Sequence, residues 1–110
     1  MRQLILLIAI LAAAAAGQTS PRVVEVSAKR FEFTPNIITL KKGEPVTIRL
    51  VSTDRAHGLL IHELDVDLDA SEGSPAEVTV TPQHEGRFEA ICDHYCGSGH
   101  GGMKMTVFVE

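Results

Sequence analysis

Hydrophobic and polar residues alternate in short runs along most of the chain. A period of two places apolar side chains on one face of a strand and polar side chains on the other. Between residues 18 and 110 no apolar period of 3.6 extends over about ten residues, as an amphipathic helix would require, and Gly and Pro recur at strand-length spacing. The pattern predicts an all-β domain, an antiparallel sandwich or barrel. The predicted strands lie in RVVEVSA (22–28), FEF (31–33), the two halves of NIITLKKGEPVTIRLVS (36–52), AEVTVTP (76–82), GRFEAIC (86–92) and MKMTVFVE (103–110).

Two of these runs carry more detailed predictions. The sequence Lys-Lys-Gly-Glu-Pro (41–45) separates the two halves of residues 36–52 and predicts a hairpin-like connection. In the last strand, Met103 and Met105 share one parity with the two valines that follow, so we expect all four to face the core. Met105 is then ordinary core packing, whereas Met103 points inward at the start of the strand, where a cysteine-containing loop ends.

The N-terminal segment has the layout of a secretory leader. Residues 1–17 combine one Arg, an apolar run from Leu4 to Ala16 and small residues up to Gly17. The apolar run is shorter than the roughly 20 residues that a membrane-spanning helix needs. We therefore predict a signal peptide at 1–17, with an uncleaved membrane anchor as the alternative. The mature domain at 18–110 is then expected to be periplasmic or otherwise extracytoplasmic.

The chain is acidic, and its carboxylates are unevenly distributed. It has ten Lys and Arg against fourteen Asp and Glu, a formal net charge of −4. This balance argues against nucleic acid as a partner, because a basic patch supplies most of the affinity in such complexes. The stretch at 63–72 is interpreted either as a solvated loop or as a docking face for a basic redox partner, such as a c-type cytochrome. Its acidic residues are Glu63, Asp65, Asp67, Asp69 and Glu72.

The chemically distinctive residues lie in CDHYCGSGHGGM, at 92–103. A disulfide between Cys92 and Cys96 is one interpretation, since two cysteines in an exported protein commonly pair, but it would close a very short loop and stabilise the fold little. A metal site is the other interpretation, because Cys92, Cys96, His100 and Met103 follow one another at intervals of four, four and three. Soft sulfur ligands with imidazole select copper, or zinc where the geometry is tetrahedral, and the thioether favours copper.

The motif C-x-x-x-C-x-x-x-H-x-x-M, in a loop that enters the final strand, resembles the CuA-binding domain of cytochrome c oxidase subunit II and nitrous oxide reductase. The segment FEFTPNIITLKKGEPVTIRLVSTDRAHGLLIHEL (31–64) also resembles that family's strand, hairpin and first-histidine segment. The resemblance covers the chain from about Val24 to Glu110. It implies a cupredoxin-like Greek-key β-sandwich or barrel that carries electrons and is not itself an enzyme.

The resemblance also implies a binuclear copper centre and its ligands. Two bridging thiolates share one electron over both metals, so the bonds change little and electron transfer is fast. The family often has Glu where this chain has His94, but only the main-chain oxygen is used there, so we expect the centre to form. The implied ligands are Cys92 and Cys96 as bridges, His57 and His100 as one imidazole for each copper, and Met103 and the backbone carbonyl of His94 as weak ligands.

The expected function is extracytoplasmic electron transfer through this centre. A copper chaperone or copper-tolerance protein that uses the same ligands is the first alternative. A component of a terminal oxidase or a disulfide-bonded interaction domain is the second, although the oxidase subunit normally has transmembrane helices where this chain has a leader-like segment. His62 and His84 lie in polar stretches and are expected to be surface residues without a role in the site.

Overall fold

The computed structural model describes residues 20–94 and 99–110, which form two facing β-sheets. The predicted leader at 1–17 lies outside these residues, and within them no helix is long and apolar enough to cross a membrane. Short 3-10 turns occur at His62–Leu64 and His100–Gly102. The strands are β1 (Arg22–Lys29), β2 (Glu32–Thr34), β3 (Ile37–Leu40), β4 (Val46–Ser52), β5 (His57–Ile61), β6 (Val66–Ala70), β7 (Ala76–Val80), β8 (Gly86–Ile91) and β9 (Lys104–Val109).

The two sheets confirm the predicted all-β sandwich. The first has the strand order β2-β1-β4-β7 and the second the order β3-β9-β8-β5-β6. Most neighbouring strands are antiparallel, as expected, but β1 pairs with β4 and β3 pairs with β9 in parallel. Strands that run in the same direction can become neighbours because the chain crosses between the sheets instead of folding only through hairpins.

The connection at 41–45 is one of these crossings, so the hairpin prediction is wrong. β3 lies in the second sheet and β4 in the first. The backbone N–H of Lys42 donates to the carbonyl of Glu110 at 2.9 Å, and that of Gly43 donates to the carbonyl of Pro82 at 2.8 Å. Gly43 has a φ of 82°, which glycine adopts without a steric penalty. The Gly-Glu-Pro signal identified a turn correctly, but it carries no information about which sheet each flanking strand joins.

Val66–Ala70 of the acidic stretch at 63–72 form strand β6, so the solvated-loop interpretation is wrong for this half, although the carboxylates are exposed as expected. β6 pairs with β5 in antiparallel fashion and occupies the edge of the second sheet. Val66, Leu68 and Ala70 are buried, whereas Asp67 and Asp69 are exposed between them. Buried and exposed residues alternate here as in an ordinary strand. The high density of carboxylates made this alternation hard to recognise in the sequence.

Buried side chains from both sheets fill the space between them. Ile48 and Leu50 of β4, in the first sheet, and Leu59 of β5 and Val107 of β9, in the second, are completely buried in one apolar cluster. The predicted parity of the last strand is confirmed, because Met103, Met105 and the two valines are buried while Lys104 and Phe108 are exposed. The sandwich therefore supplies a continuous apolar core beneath the strand ends.

Truncation of Leu50 tests this core. Leu50→Ala should lower the free energy of unfolding by about 2–5 kcal/mol, because a completely buried side chain leaves a cavity that its neighbours fill only in part. Val23→Ala on the adjacent β1 is the control, since Val23 is 58 % exposed, and should change stability by no more than about 0.5 kcal/mol. Urea unfolding of the metal-free protein measures both, and equal effects would contradict the assigned core.

Candidate metal centre

Three adjacent strand ends bring the described candidate ligands to one end of the second sheet. β8 lies between β5 and β9 and is antiparallel to both. Cys92 follows the end of β8, Met103 precedes the start of β9, and His57 is the first residue of β5. The backbone N–H of Cys92 donates to the carbonyl of Met103 at 3.1 Å, which extends the β8–β9 pairing into the motif. The ends of the cysteine motif are therefore tied together beside His57.

Cys92 has the surroundings expected of a sulfur ligand. Its side chain is almost completely buried, at 3 % exposure, and carries a free thiol. The thiol donates a hydrogen bond of 3.2 Å to the backbone carbonyl of His94. That carbonyl thus faces the sulfur, where a weak main-chain ligand would be required, while His94 itself is exposed.

The remaining motif residues are described to different extents. Met103 is 1 % exposed, so its thioether points inward as predicted. Cys96 lies outside the described residues, and for His100 the structure describes the backbone, within the 3-10 turn. His62 and His84 are exposed, as expected of surface residues.

His57 is completely buried and has one ring nitrogen in use. Its Nε2 lies 2.6 Å from Oδ1 of Asp54. Its Nδ1 is buried and has no hydrogen-bond partner among the described residues. A buried polar atom without a partner is costly, and metal-binding histidines generally donate their second ring N–H to a carboxylate or carbonyl. Nδ1 is thus the ring nitrogen that the described residues leave available to a ligand.

Asp54 was not identified as a site residue from the sequence. It lies between β4 and β5, and its carboxylate accepts hydrogen bonds from the backbone N–H groups of Arg30 and Arg55, at 2.9 and 2.7 Å. Desolvation raises its pKa, but these hydrogen bonds and that with His57 outweigh it and lower the pKa to about 2. The available sequence signal was a carboxylate three positions before the candidate histidine, in TDRAHG.

A second carboxylate, Asp93, follows Cys92 and lies above Gly58 of β5. A Cβ at Gly58 would collide with the Asp93 carboxylate, so the absence of a side chain there makes the close approach possible. Desolvation raises the pKa of Asp93 to about 6, and a hydrogen bond and negative charge from Asp67 and negative charge from Asp69 act in the same direction. Negative charge therefore accumulates beside the candidate centre.

An aromatic ring packs against the far part of the motif. Phe31, between β1 and β2, contacts Gly99, and a Cβ on Gly99 would overlap the ring. Phe31 is 38 % exposed, so the ring is partly covered and partly open to solvent. The first sheet thus contributes a contact to a site built mainly on the second.

The described donors fit copper, although they do not by themselves form a complete site. Within residues 20–94 and 99–110 no group of three or more His, Cys, Asp or Glu is placed to hold a metal ion. The donors that are described comprise a buried thiol, a buried thioether and an imidazole with an unpartnered nitrogen. This soft sulfur and nitrogen set is one that copper prefers.

Comparison with known proteins agrees with this chemistry. The sequence-family model for the cupredoxin-like domain matches residues 3–107. The chain belongs to the cupredoxin-like family. It is 31 % identical over 100 residues to a cytochrome c oxidase subunit 2 of Thermus thermophilus, covering 89 % of this chain and 74 % of that protein. It is 29 % identical over 91 residues to a nitrous-oxide reductase of Cupriavidus necator, covering 79 % of this chain but 14 % of the reductase. The resemblance found in the motif is therefore confirmed.

Solved structures show the same fold. The periplasmic domain of cytochrome oxidase subunit II from Bradyrhizobium japonicum superimposes with a TM-score of 0.76 at 15 % identity, covering 84 % of this chain and 86 % of that one. Auracyanin A, a "blue" copper protein from Chloroflexus aurantiacus, gives a TM-score of 0.67 at 16 % identity, covering 83 % of this chain and all of that one. The cupredoxin-like fold is thus confirmed, and membership of this family supports copper-based electron transfer.

Substitution of Gly99 tests the contact with Phe31. Gly99→Ala should lower the stability of the metal-free protein by about 1–3 kcal/mol, because the new methyl group overlaps the ring. The same substitution should cost less in a Phe31→Ala background, and a double-mutant cycle in urea measures the difference. Gly101→Ala is the control, since open space surrounds that position. Additive effects at Gly99 and Phe31 would show that the two residues do not touch.

Proposed function

We propose that this domain is an extracytoplasmic electron carrier with a binuclear, CuA-type copper centre. The proposed ligands are the side chains of His57, Cys92, Cys96, His100 and Met103 and the backbone carbonyl of His94. When bound, the copper pair would accept and release one electron at a time. With these positions filled, no open position remains for a substrate, so we propose a carrier and not an enzyme.

The observation that supports this function best is the state of His57. Its Nδ1 is buried without a hydrogen-bond partner in the described part of the chain, while Nε2 is held by Asp54. A histidine that served only the packing of the core would satisfy both nitrogens or lie closer to water. His57, the proposed ligand upstream of the cysteine motif, is therefore oriented for metal binding by residues outside that motif.

The surrounding protein favours rapid electron transfer in two ways. His57, Cys92 and Met103 are held at the ends of paired strands above a fully packed core, which limits how far they move when the charge changes. Their burial excludes water from this side of the site, which reduces solvent rearrangement and influences the potential.

A basic redox protein is the proposed partner, and the strand geometry divides the acidic stretch into two parts. β6 runs antiparallel to β5, with Ala70 opposite His57 and Val66 opposite Ile61. Its five residues extend over roughly 13 Å at about 3.3 Å per residue. Glu63 therefore lies towards the end of the sheet away from the candidate centre, and Glu72 lies towards it.

Location outside the cytoplasm is part of the proposal. It is supported by the leader-like composition of residues 1–17 and by the likeness to a domain described as periplasmic. A role as a component of an oxidase is a second candidate, because relatives that are 31 % identical to this chain are named cytochrome c oxidase subunit 2. The chain spans 60 % of the length of a second such relative from Thermus thermophilus.

Copper loading tests the centre directly. The protein with reduced cysteines should bind two copper ions per chain in native mass spectrometry. Its oxidised form should give a seven-line hyperfine pattern in electron paramagnetic resonance, because one electron shared by two copper nuclei couples to both. Cys92→Ser should abolish this pattern, since one thiolate cannot form both bridges.

Matched variants show whether the ligands are assigned correctly. His62→Ala and His84→Ala remove exposed imidazoles and should leave the copper content and the spectrum unchanged. A single copper with four lines would contradict the binuclear centre and indicate a mononuclear site. Rapid transfer of Cu(I) to a metal-free acceptor protein, with no seven-line pattern, would favour the chaperone.

Charge reversal tests the docking face. Glu72→Lys should slow reduction of the copper-loaded protein by a basic c-type cytochrome several-fold at low salt, because it removes attraction near the centre. The difference should shrink at about 0.1 M salt and above, where charges more than ~10 Å apart are screened. Glu63→Lys makes the same charge change in the same stretch but farther from the centre, so it should have the smaller effect in stopped-flow measurements. Equal effects, or rates independent of salt, would contradict docking at this end of β6.

A further inference from the structure

The connection between β4 and β5 holds a carboxylate against the buried ring of His57. The 2.6 Å contact joins Asp54 Oδ1 to Nε2, and Asp54 is the partner that the structure gives to this nitrogen. An ionised carboxylate can only accept hydrogen bonds, and a neutral imidazole has one N–H. The proton of the neutral ring therefore lies on Nε2, and Nδ1 retains its lone pair.

Asp54 is itself fixed by groups that are independent of the metal motif. Oδ2 accepts from the backbone N–H of Arg30, between β1 and β2, and Oδ1 accepts from the backbone N–H of Arg55. The backbone N–H of Asp54 is directed at the hydroxyl of Ser52 at 3.4 Å, and that hydroxyl donates to the carbonyl of Arg55. Backbone groups from two connections thus define where the carboxylate points.

The Arg30 side chain contributes much less than its backbone. Its Nε is 3.9 Å from Asp54 Oδ2, beyond hydrogen-bonding distance, and the side chain is half exposed. An exposed ion pair of this length stabilises little. The amide of Arg30 is therefore the group that matters, and it is present whatever side chain occupies the position.

We propose that Asp54 is a positioning residue that fixes the tautomer and orientation of His57, so that Nδ1 is the nitrogen presented to the metal. This inference rests on the proposed copper function for its purpose, but the hydrogen bond is a property of the metal-free fold. Partners of metal-bound histidines raise the basicity of the ligand and prevent the ring from rotating, and their removal commonly weakens metal binding about 10- to 100-fold.

The test compares Asp54→Ala, Asp54→Asn and Arg30→Ala in the otherwise intact chain. In the metal-free protein, the Nε2–H of His57 should give a downfield proton resonance that exchanges slowly with water, seen by proton–nitrogen NMR of labelled histidine. Asp54→Ala should lose this resonance and bind Cu(I) about 10- to 100-fold more weakly in competition with a chromophoric chelator. Asp54→Asn retains an amide oxygen that can accept, so it should keep the resonance and recover part of the affinity.

Arg30→Ala is the matched control, because it removes the guanidinium but keeps the backbone N–H that holds Asp54. It should leave both the resonance and the copper affinity unchanged within about twofold. The proposal is overturned if Asp54→Ala retains the resonance, even with weaker copper binding, since a group other than Asp54 would then hold the Nε2–H. It is also overturned if the affinity of Asp54→Ala equals that of the unmodified protein.

The NMR result separates this inference from the proposed function. If the unmodified protein fails to bind two copper ions but the His57 resonance depends on Asp54, the binuclear centre is wrong and the positioning of the ring stands. If two copper ions bind and neither the resonance nor the affinity depends on Asp54, the function stands and the positioning is wrong.

Discussion

The pairing of β8 with both β5 and β9 is the constraint on which the candidate centre depends. A single hydrogen bond, from the Cys92 N–H to the Met103 carbonyl, continues the β8–β9 ladder past the last residue of β8. Because side chains alternate along a strand, a shift of register by one residue would turn both sulfur atoms away from the core. The β5–β8 pairing sets Gly58 beneath Asp93 and places the start of β5 beside the motif. The inward direction of each described donor is thus a consequence of sheet register.

Apolar and acidic surroundings meet at this end of the sandwich. Below the strand ends the core is closed and dry, with Leu59, Ala90 and Val107 completely buried. At the edge of the sheet, desolvation and the nearby carboxylates of Asp67 and Asp69 raise the pKa of Asp93. The proposed electron exchange with a basic protein would use both features, because the core limits rearrangement and the acidic edge guides association. β6 contributes to both features, since Val66, Leu68 and Ala70 are buried on one face and Asp67 and Asp69 are exposed on the other.

Sequence reasoning succeeded where the relevant residues are neighbours in the chain. The final strand was predicted with the correct face inward, because the parity of Met103 to Val109 is a local property. It failed for β5, whose residues are nearly all buried and so show no alternation. It also misinterpreted β6 as a loop, because the sequence there is rich in carboxylates that lie on the outer face of the strand. At 41–45 the turn signal did not reveal that the chain changes sheet. Asp54 was missed because it contacts His57 through a turn whose shape the sequence does not specify. Phe31 was missed because only the fold brings it near Gly99.

The sequence by itself determined the class of fold, the cysteine motif and the soft character of the donors, because these follow from residue type and short-range spacing. It also indicated His57, although only through a resemblance that extended beyond the motif. The tertiary structure decided which nitrogen of that histidine has no partner among the described residues, which carboxylate holds the other one, and which part of the acidic stretch lies beside the candidate centre. These three features depend on contacts among the β1–β2 connection, the β4–β5 connection and strand β6. Only strand pairing brings these segments together. Residue spacing along a chain determines the local structure and donor chemistry of a segment, whereas sheet register determines which other residues that segment contacts.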